Sequence, residues 1–374
     1  DARKQATTFE YDQAGNLKKE TDPLGHSTSY AHDPSGNLRS RTDANGNTTF
    51  YEFDELSRLK EIQYPDGTKA AFTYDHRGNL KTAGNPDMAY TFIYDLNNRL
   101  TRVSDSDGRT ISYEYNELGK RIKMVGPDQR VLEYRYDLQN YLSRIRVDSV
   151  PTFQLSHDPY GRRKSLGYPN GTATTYSYDP SGYLTALLAQ NTHPAKINSF
   201  AYTHDRVGSR KTKTDPSGEY QYDYDKIYQL IKASPPAFPP EEYGYDPVGN
   251  RMETRVDPDN ALLEDKEYAY AYDYNGNRIE KVRKADNENT TYAYDFENRL
   301  IQVESPSILA RYKYDPFGRR IEKDVNGVVS RYVYDGPNIL AEYDGEGRIK
   351  ARYIHNLAVD DPLAMERGGN TFYY

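Results

Sequence analysis

Seven histidines are the residues of this 374-residue sequence that are best suited to acid–base catalysis or to binding a transition metal. Imidazole ligands commonly occur in pairs at short spacing, such as His-x-x-x-His. His26, His76, His193 and His355 form no such pair. The other three occupy a recurrent aromatic position that is described below, which favours a structural role. We therefore predict no metal bound by imidazole.

Carboxylates are abundant, but they recur at regular intervals. Two Asp-rich stretches, residues 43–47 and 257–260, resemble parts of calcium loops but lack the glutamate that completes such a loop. An enzyme needs an acid and a base in different environments, whereas one identical Asp per repeat suits a scaffold. Residues 345–347, Gly-Glu-Gly, lack the third glycine of a dinucleotide loop, and there is neither a P-loop nor a Gly-x-Ser-x-Gly elbow. We predict no catalytic residue, no cofactor and no metal, and hence no enzyme.

Composition excludes several other classes of protein. The net charge is -7 with acidic and basic residues interspersed, so a nucleic-acid partner is not expected. Cysteine is absent, which removes disulfides and thiolate nucleophiles. No apolar run approaches the ~20 residues of a membrane span. The N-terminus has no signal-peptide pattern, but the chain begins and ends inside its own repeat, so we expect it to be an excised piece.

A repeat extends over nearly the whole chain. Tyrosine accounts for 38 residues, and an aromatic residue or His recurs mostly every 20 to 22 residues as an anchor that is followed by Asp in all copies but one. Two longer steps, before His204 and before Tyr272, are interpreted as loop insertions, with residues 190–194 in the first. The sixteen anchors are Tyr11, His32, Phe53, Tyr74, Tyr94, Tyr115, Tyr136, His157, Tyr178, His204, Tyr224, Tyr245, Tyr272, Tyr294, Tyr314 and Tyr334.

Each position of the repeat has an expected structural role. The Asp after the anchor, replaced once by Asn116, suits a side chain that binds backbone amides across a turn. Two residues before the anchor stands Tyr or Phe, with Leu155 as the exception, so each repeat sends a largely aromatic pair to one face of a strand.

Two turns per repeat predict a continuous antiparallel hairpin array. Four residues after the anchor stands Gly in ten repeats and Asn in four, which are the residues that enter the left-handed region at lowest cost. Ser57 and Tyr228 are the exceptions, and there we expect another turn type. A second turn follows about ten residues later, so strands of roughly six residues alternate with turns. The four Asn residues are Asn98, Asn140, Asn298 and Asn338.

The sixth residue after the anchor divides the repeats into two types. It is Leu in ten repeats and Arg in six. We expect the Arg-type repeats to slip by one residue at a bulge, or else to lay the Arg stem across a neighbouring ring. The alternative is an arginine ladder that binds an anionic ligand. The six are Arg121, Arg163, Arg210, Arg251, Arg278 and Arg320.

The repeat resembles the YD repeat of Rhs proteins. The motif Tyr-x-Tyr-Asp-x-x-Gly-Asn/Arg-Leu/Arg, as in residues 176–182 and 312–320, is similar to that of bacterial Rhs polymorphic toxins, the BC components of Tc toxins and teneurins. The end of the chain, residues 352–355, 360–364 and 371–374, is similar to the stretch before the C-terminal core of bacterial Rhs proteins. We therefore assign residues 1–352 to the YD/Rhs array and 353–374 to the start of that core-associated segment.

The resemblance implies an architecture, a function and partners. The expected fold is an all-β spiral of hairpins that forms part of a hollow, cocoon-like shell. The expected function is a structural shell segment that encapsulates a C-terminal toxin polypeptide, in a secreted or cell-surface bacterial protein. The expected partner is that toxin, with secretion machinery or cell-surface glycans as further partners. An adhesion module that binds carbohydrate or protein is the alternative.

Overall fold

The chain folds entirely as antiparallel hairpins in the part that the structure describes. A computed structural model describes residues 1–148, 150–191 and 196–374, and in these it contains 36 β-strands and no helix. They form two compact units: unit 1 comprises Asp1–Ile111 and Glu253–Tyr374, and unit 2 comprises Ser112–Met252. The all-β hairpin array that the sequence predicts is confirmed.

Unit 1 contains two strips of strands. The N-terminal strip is formed by β1 (Thr8–Tyr11), β2 (Leu17–Thr21), β3 (Ser27–His32), β4 (Leu38–Thr42), β5 (Thr48–Phe53), β6 (Leu59–Gln63), β7 (Lys69–Tyr74), β8 (Leu80–Gly84), β9 (Ala89–Tyr94) and β10 (Leu100–Asp105). Strand β11 (Thr110–Tyr115) begins in unit 1 and ends in unit 2.

Unit 2 continues with strands of the same kind. These are β12 (Arg121–Val125), β13 (Val131–Tyr136), β14 (Leu142–Val147), β15 (Val150–His157), β16 (Arg163–Gly167), β17 (Ala173–Tyr178), β18 (Leu184–Gln190), β19 (Lys196–His204), β20 (Arg210–Asp215), β21 (Gly218–Tyr224), β22 (Leu230–Ser234) and β23 (Glu241–Glu242). Of the loop insertion that the sequence places at residues 190–194, residues 192–194 lie outside the described residues.

The C-terminal strip completes unit 1. It is formed by β24 (Arg255–Val256), β25 (Leu262–Glu264), β26 (Tyr268–Tyr272), β27 (Arg278–Arg283), β28 (Asn289–Tyr294), β29 (Leu300–Glu304), β30 (Leu309–Tyr314), β31 (Arg320–Val325), β32 (Val328–Asp335), β33 (Asn338–Asp344), β34 (Ile349–His355), β35 (Pro362–Arg367) and β36 (Asn370–Tyr373). Pairing continues without a break from β33 through β36, so the boundary at residue 353 stays a prediction.

The turn after each anchor is built by its aspartate. In the first repeat the Asp12 N–H donates to the Asn16 carbonyl, and the Gly15 N–H donates back to the Asp12 carbonyl. The Asp12 carboxylate accepts from the N–H groups of Ala14 and Asn16 and from the Asn16 side-chain amide. The predicted role of the Asp is thus confirmed, and the side chain of Asn116 accepts the equivalent bond from the Lys120 N–H.

The two exceptional turns have the same geometry as the others, so the prediction of another turn type at Ser57 and Tyr228 is wrong. Both residues are left-handed, with φ of 57° and 65°. Their aspartates, Asp54 and Asp225, accept the same backbone N–H donors as elsewhere. The capping carboxylate therefore sets the turn, and the residue at its end follows even without the preference of Gly or Asn.

The turn near Asn338 departs from the prediction. The other three asparagines, Asn98, Asn140 and Asn298, have positive φ, but Asn338 does not. Its hairpin is one residue shorter than the rest, because Tyr334 lies opposite Ile339, the fifth residue after it, and Asp335 pairs with Asn338. Gly336 takes the left-handed conformation there, at φ 58°. In so tight a turn the left-handed residue lies inside the loop, where glycine is favoured.

Outside the Tyr334 repeat, Leu-type and Arg-type repeats share one register. The anchor lies opposite the sixth residue after it, as in Tyr11 opposite Leu17 and Tyr115 opposite Arg121, and both pairs have a bulge just before the anchor. The expected one-residue slip in the Arg-type repeats is wrong, because the bulge belongs to both types.

The anchors also tie each repeat to the one before it. The hydroxyl of Tyr136 donates to the Arg121 carbonyl at 2.7 Å, and that of Tyr74 donates to the Leu59 carbonyl at 2.9 Å. Each such carbonyl belongs to the sixth residue after the previous anchor. The same bond is made by Tyr178, Tyr224, Tyr245, Tyr294, Tyr314 and Tyr334.

Buried apolar side chains follow the strands in small clusters. In the N-terminal strip Ala70, Phe72 and Ala83 are buried together, and Leu59 and Leu80 pack against them. In unit 2 the largest fully buried side chains are Phe153, Met124, Ile145 and Leu166. Stability is thus distributed between neighbouring hairpins, as in other repeat proteins.

Candidate functional site

The histidines have structural surroundings. His157 and His204 pack against the rings of Tyr141 and Tyr183, with centroids 5.1 and 5.3 Å apart. Burial lowers the pKa of His157, which favours its neutral form. His26 contacts the Asp22 carboxylate of its own turn at 2.9 Å. Among the described residues no group of three or more metal-ligating side chains comes together.

The arginines of the Arg-type repeats lie over tyrosine rings, so the second expectation for them is confirmed. The guanidinium of Arg121 is 4.4 Å from the ring centroid of Tyr113, and that of Arg251 is 4.1 Å from Tyr243. Arg163 turns to Tyr176 of the next repeat, because its own repeat has Leu155 where the ring would stand. The other three, Arg210, Arg278 and Arg320, lie within 4.7 to 5.7 Å of tyrosine rings.

This stacking weakens the case for an anion-binding ladder. Each guanidinium is held on an aromatic face within the ribbon, where the negative face of the ring favours the cation. The arginines therefore contribute to packing between strands, in the position that leucine fills in the other repeats.

The most distinctive site of unit 1 is a seam between its two strips. The turns that follow the anchors of the C-terminal strip, called first turns here, lie against the second turns of the N-terminal strip. The Asn275 side chain donates to the Asp43 carboxylate at 2.9 Å and accepts from the Ala44 N–H at 3.0 Å. The Tyr274 N–H donates to the Asn45 side chain at 3.0 Å. Polar turn residues therefore specify the register of the seam.

Aromatic contacts continue the seam along both strips. The rings of Tyr64 and Phe296 are 6.3 Å apart, and those of Tyr90 and Phe317 are 5.9 Å apart. Further along, the guanidinium of Arg109 is 4.8 Å from the ring of the C-terminal strip residue Tyr343. The apolar residue at the tip of a first turn is thus a contact residue.

Asp315 lies in the seam with its side chain fully buried. It accepts from the N–H groups of Phe317 and Arg319, from Nε of Arg319 at 2.6 Å and from the Tyr90 hydroxyl at 3.2 Å. Burial and the nearby carboxylate raise the pKa of Tyr90 well above its usual value. A buried carboxylate needs this full set of donors.

A cleft of about 400 Å³ opens beside the seam. Tyr64, Phe296 and Tyr312 supply aromatic faces, and Asp87 and Lys313 supply charge. Loss of water raises the pKa of Asp87, while Lys313 opposes the shift. Flat aromatic faces beside carboxylates suit a polar organic ligand such as a sugar, which stacks its apolar face and binds through its hydroxyls.

Sequence reasoning missed the seam and the cleft. Both join residues more than two hundred positions apart, and nothing in a hairpin repeat states which later repeat lies beside which earlier one. An apolar residue at an otherwise polar turn tip, as in Phe296 and Phe317, was the available signal.

Comparison with known proteins identifies the ribbon. The sequence profile of the Teneurin YD-shell family matches residues 2–152 and 199–374. The chain belongs to the YD-shell family. Its resemblance to Rhs and YD-repeat proteins is thereby confirmed, and a structural shell role is supported. No curated protein matches the YD-shell chain at the sequence level.

Solved structures share the fold of this YD-shell chain. TcdB2-TccC3 without the hypervariable C-terminal region superposes with a TM-score of 0.58 at 14% identity, TcdB2-TccC3-TEV with 0.57 at 14%, and TcdB2-TccC3-Cdc42 with 0.53 at 13%. Each match covers 94% of this chain and 26% of the other, so this chain spans about a quarter of their length. Among its described residues no helix has the length and apolar character to cross a membrane.

Proposed function

We propose that this chain is a wall segment of a shell that encloses a toxin polypeptide located C-terminal to it and delivers that polypeptide outside the producing cell. The observation that carries the proposal is the match to the YD-shell family over both halves of the chain. The similar TcdB2-TccC3 structures differ in composition. One includes TEV, one includes Cdc42, and one lacks the hypervariable C-terminal region. A constant wall around a variable cargo accounts for that pattern.

The properties of the ribbon support a wall without chemistry of its own. Its recurrent residues are engaged in turns, ring stacking and bonds between repeats. We propose that this segment is not an enzyme and needs no cofactor. Self-cleavage of the purified chain on storage, followed by mass spectrometry, would contradict this part of the proposal.

Protection from protease tests enclosure directly. The full-length gene product is treated with protease, and the polypeptide C-terminal to Tyr374 is followed with an antibody to its last residues. We expect that polypeptide to survive while the shell is intact and to be cleaved after denaturation. A gene product with no such polypeptide, or one whose polypeptide is cleaved as fast as when it is expressed alone, contradicts the proposal.

A carbohydrate-binding module is the second candidate, and the cleft beside the seam favours it. A glycan array probed with the chain tests it, with Tyr64→Ala as the variant that removes an aromatic face of the cleft. Tyr160→Ala is the matched control, because Tyr160 is exposed but lies in unit 2. A specific signal that is lost in the first variant and kept in the second supports this function. The absence of any signal contradicts it.

A further inference from the structure

Two turns of the seam carry the same sequence pattern. Residues 43–47 and 273–277 both read Asp-x-Asn-Gly-Asn, and no other stretch of the chain has this pattern. The first belongs to the N-terminal strip and the second to the C-terminal strip, and hydrogen bonds join them across the seam. These two segments are called the seam turns.

The seam turns bind each other through their central asparagines. The Asn275 side chain donates to the Asp43 carboxylate at 2.9 Å and accepts from the Ala44 N–H at 3.0 Å. The Asn45 side chain donates to the Asp273 carboxylate and accepts from the N–H of the next residue, both at 3.0 Å. Each carboxamide therefore makes the same two bonds to the opposite turn, so the contact is reciprocal.

Both central asparagines precede glycine, the neighbour that most favours reaction of an asparagine side chain with its own backbone. The amide nitrogen of the glycine attacks Cγ of the asparagine and gives up its proton, and the side-chain nitrogen leaves as ammonia. A cyclic succinimide results, and water opens this ring to aspartate or isoaspartate. Glycine favours the attack because it has no Cβ to hinder ring closure.

Ring closure requires the carboxamide to leave the opposite turn, because Cγ must move towards the nitrogen of the following glycine. Asn275 must then give up its bond to the Asp43 carboxylate, and Asn45 its bond to the Asp273 carboxylate. Hydrogen bonds to a charged acceptor are the stronger kind. The closed seam therefore holds both asparagines away from the reactive conformation.

Another Asn–Gly pair, Asn170-Gly171 in unit 2, provides a comparison without an opposite turn. Its glycine N–H donates to the carbonyl three residues earlier at 3.0 Å, as those of the seam turns do at 3.0 and 3.1 Å. The Asn170 side chain accepts bonds from the N–H and hydroxyl of Thr172 in its own turn. Asn170 and Asn45 are both exposed to water, so solvent access does not distinguish them.

We propose that Asn45 and Asn275 are deamidation sites that the closed seam protects, and that reaction at either one prevents the seam from closing again. Conversion of Asn275 to aspartate replaces a donor by a negative oxygen beside the Asp43 carboxylate, which is only 6% exposed. Two carboxylates at hydrogen-bond distance repel each other. Isoaspartate instead adds a carbon to the main chain of the turn. This inference does not depend on an enclosed polypeptide.

Peptide mass spectrometry of the folded chain, incubated in mildly alkaline buffer, tests the protection. We expect Asn170 to react first, and Asn45 and Asn275 to react at least about tenfold more slowly, because each must first break a bond to a charged carboxylate. In urea that unfolds the chain, the three rates should become similar. Equal rates at the three sites in the folded chain would overturn the proposal.

Hydrogen exchange of Asn275→Asp, one product of the reaction, tests the consequence. The readout is the Tyr274 N–H, which Asn45 accepts and which the substitution leaves in place. Repulsion should open both seam turns and accelerate exchange there at least about tenfold. Continued protection of the unit 2 strands shows in the same experiment that the chain is folded.

Two controls separate charge from the loss of hydrogen bonds. Asn275→Ala removes the same bonds without adding charge, so it should accelerate exchange at Tyr274 less than Asn275→Asp does. Asn170→Asp makes the same chemical change outside the seam and should leave exchange at Tyr274 as in the wild type. Wild-type exchange in Asn275→Asp, or equal acceleration by Asn275→Ala and Asn275→Asp, would overturn the proposal.

Discussion

Residues 158–163 and 315–320 are two nearly identical turns with different surroundings. They differ only where one has Tyr160 and the other Phe317. Asp158 and Asp315 each accept a hydrogen bond of 2.6 Å from Nε of the arginine four residues later. Yet the side chain of Asp315 is fully buried in the seam of unit 1, whereas that of Asp158 is 17% exposed. At the tips of the two turns, Phe317 is 44% exposed and Tyr160 is 83% exposed. The local sequence specifies the turn, and its neighbours decide whether the turn also serves as a contact.

The largest expected difference between the two turns follows from removing the aspartate. Asp315→Ala leaves several buried hydrogen-bond donors without an acceptor. It should therefore lower the free energy of unfolding by about 3 kcal/mol. Asp158→Ala should cost less, because water reaches the donors of that turn. Urea denaturation of both variants checks the order.

Tyr90→Phe is the control for this first prediction. It removes the hydroxyl that donates to Asp315 and leaves the bonds within the turn intact. A loss of about 1 kcal/mol is expected. Equal losses for Asp315→Ala and Asp158→Ala would mean that the seam adds nothing to the turn.

Substituting alanine for the glycine of each turn should reverse which of the two turns loses more stability. Gly161 and Gly318 have φ of 81° and 79°, so Ala at either should cost about 1 kcal/mol in backbone strain. At Gly161 the added Cβ would also lie 2.7 Å from the hydroxyl oxygen of Tyr141, whereas at Gly318 the nearest atom is Cδ of Arg299 at 3.9 Å. Thermal unfolding should therefore show the larger loss for Gly161→Ala.

A double substitution isolates the contribution of that ring. Adding Tyr141→Ala should bring the cost of Gly161→Ala down to that of Gly318→Ala. If the costs still differ in the absence of the ring, close contact with Tyr141 is not the cause.

Leucine should replace the stacking arginine of either turn at small cost. Arg163 lies 5.9 Å from the ring centroid of Tyr176, and Arg320 lies 5.4 and 5.7 Å from those of Tyr312 and Tyr332. Since ten repeats carry Leu at this position, Arg→Leu should change the free energy of unfolding by less than about 1 kcal/mol at either site. Chemical denaturation measures both, and Arg→Ser serves as the control that should cost more. A large loss with Leu would assign these arginines a role beyond packing.

The smallest expected effect is the loss, at acid pH, of the contribution that the Asp158 carboxylate makes to stability. Although partial burial opposes it, the Arg162 side chain and the backbone donors hold the pKa of Asp158 below its ordinary value of 3.8. A lowered folded-state pKa means that the stabilisation is present above pH 3.8 and is lost as the pH falls through the folded-state value. The difference in stability between wild type and Asp158→Asn should therefore shrink in that range. A difference that does not change with pH would assign the effect to something other than ionisation.

The repeat could be predicted from sequence because its determinants are local. Two such patterns can be read from the sequence: a carboxylate four residues before the amide that it caps, and a pair of aromatic residues two positions apart at the end of a strand. The same reasoning was wrong at Ser57 and Tyr228, where residue preference received more weight than the capping aspartate. It also inferred a slip in the Arg-type repeats, because four of the six carry an apolar residue one position after the arginine, at Ile122, Met252, Ile279 and Ile321.

The seam could not be predicted in the same way. Asn275 and Asp43 are ordinary turn residues in their own repeats, and only the path of the ribbon brings them together. The cleft is a by-product of that path. Local rules therefore account for the hairpins, whereas the pairing of distant turns depends on the accumulated twist of many strands.

The hydrogen bonds that the anchor tyrosine hydroxyls donate run from a later repeat to an earlier one. The carbonyl of Arg121 accepts a hydrogen bond from the Tyr136 hydroxyl, and that of Arg320 accepts one from Tyr334, so these hairpins receive a hydrogen bond from the hairpin that follows them in the chain. A ribosome releases the chain in that same order. During synthesis, the carbonyl of such a hairpin therefore lacks its tyrosine hydroxyl donor until the next hairpin has left the ribosome.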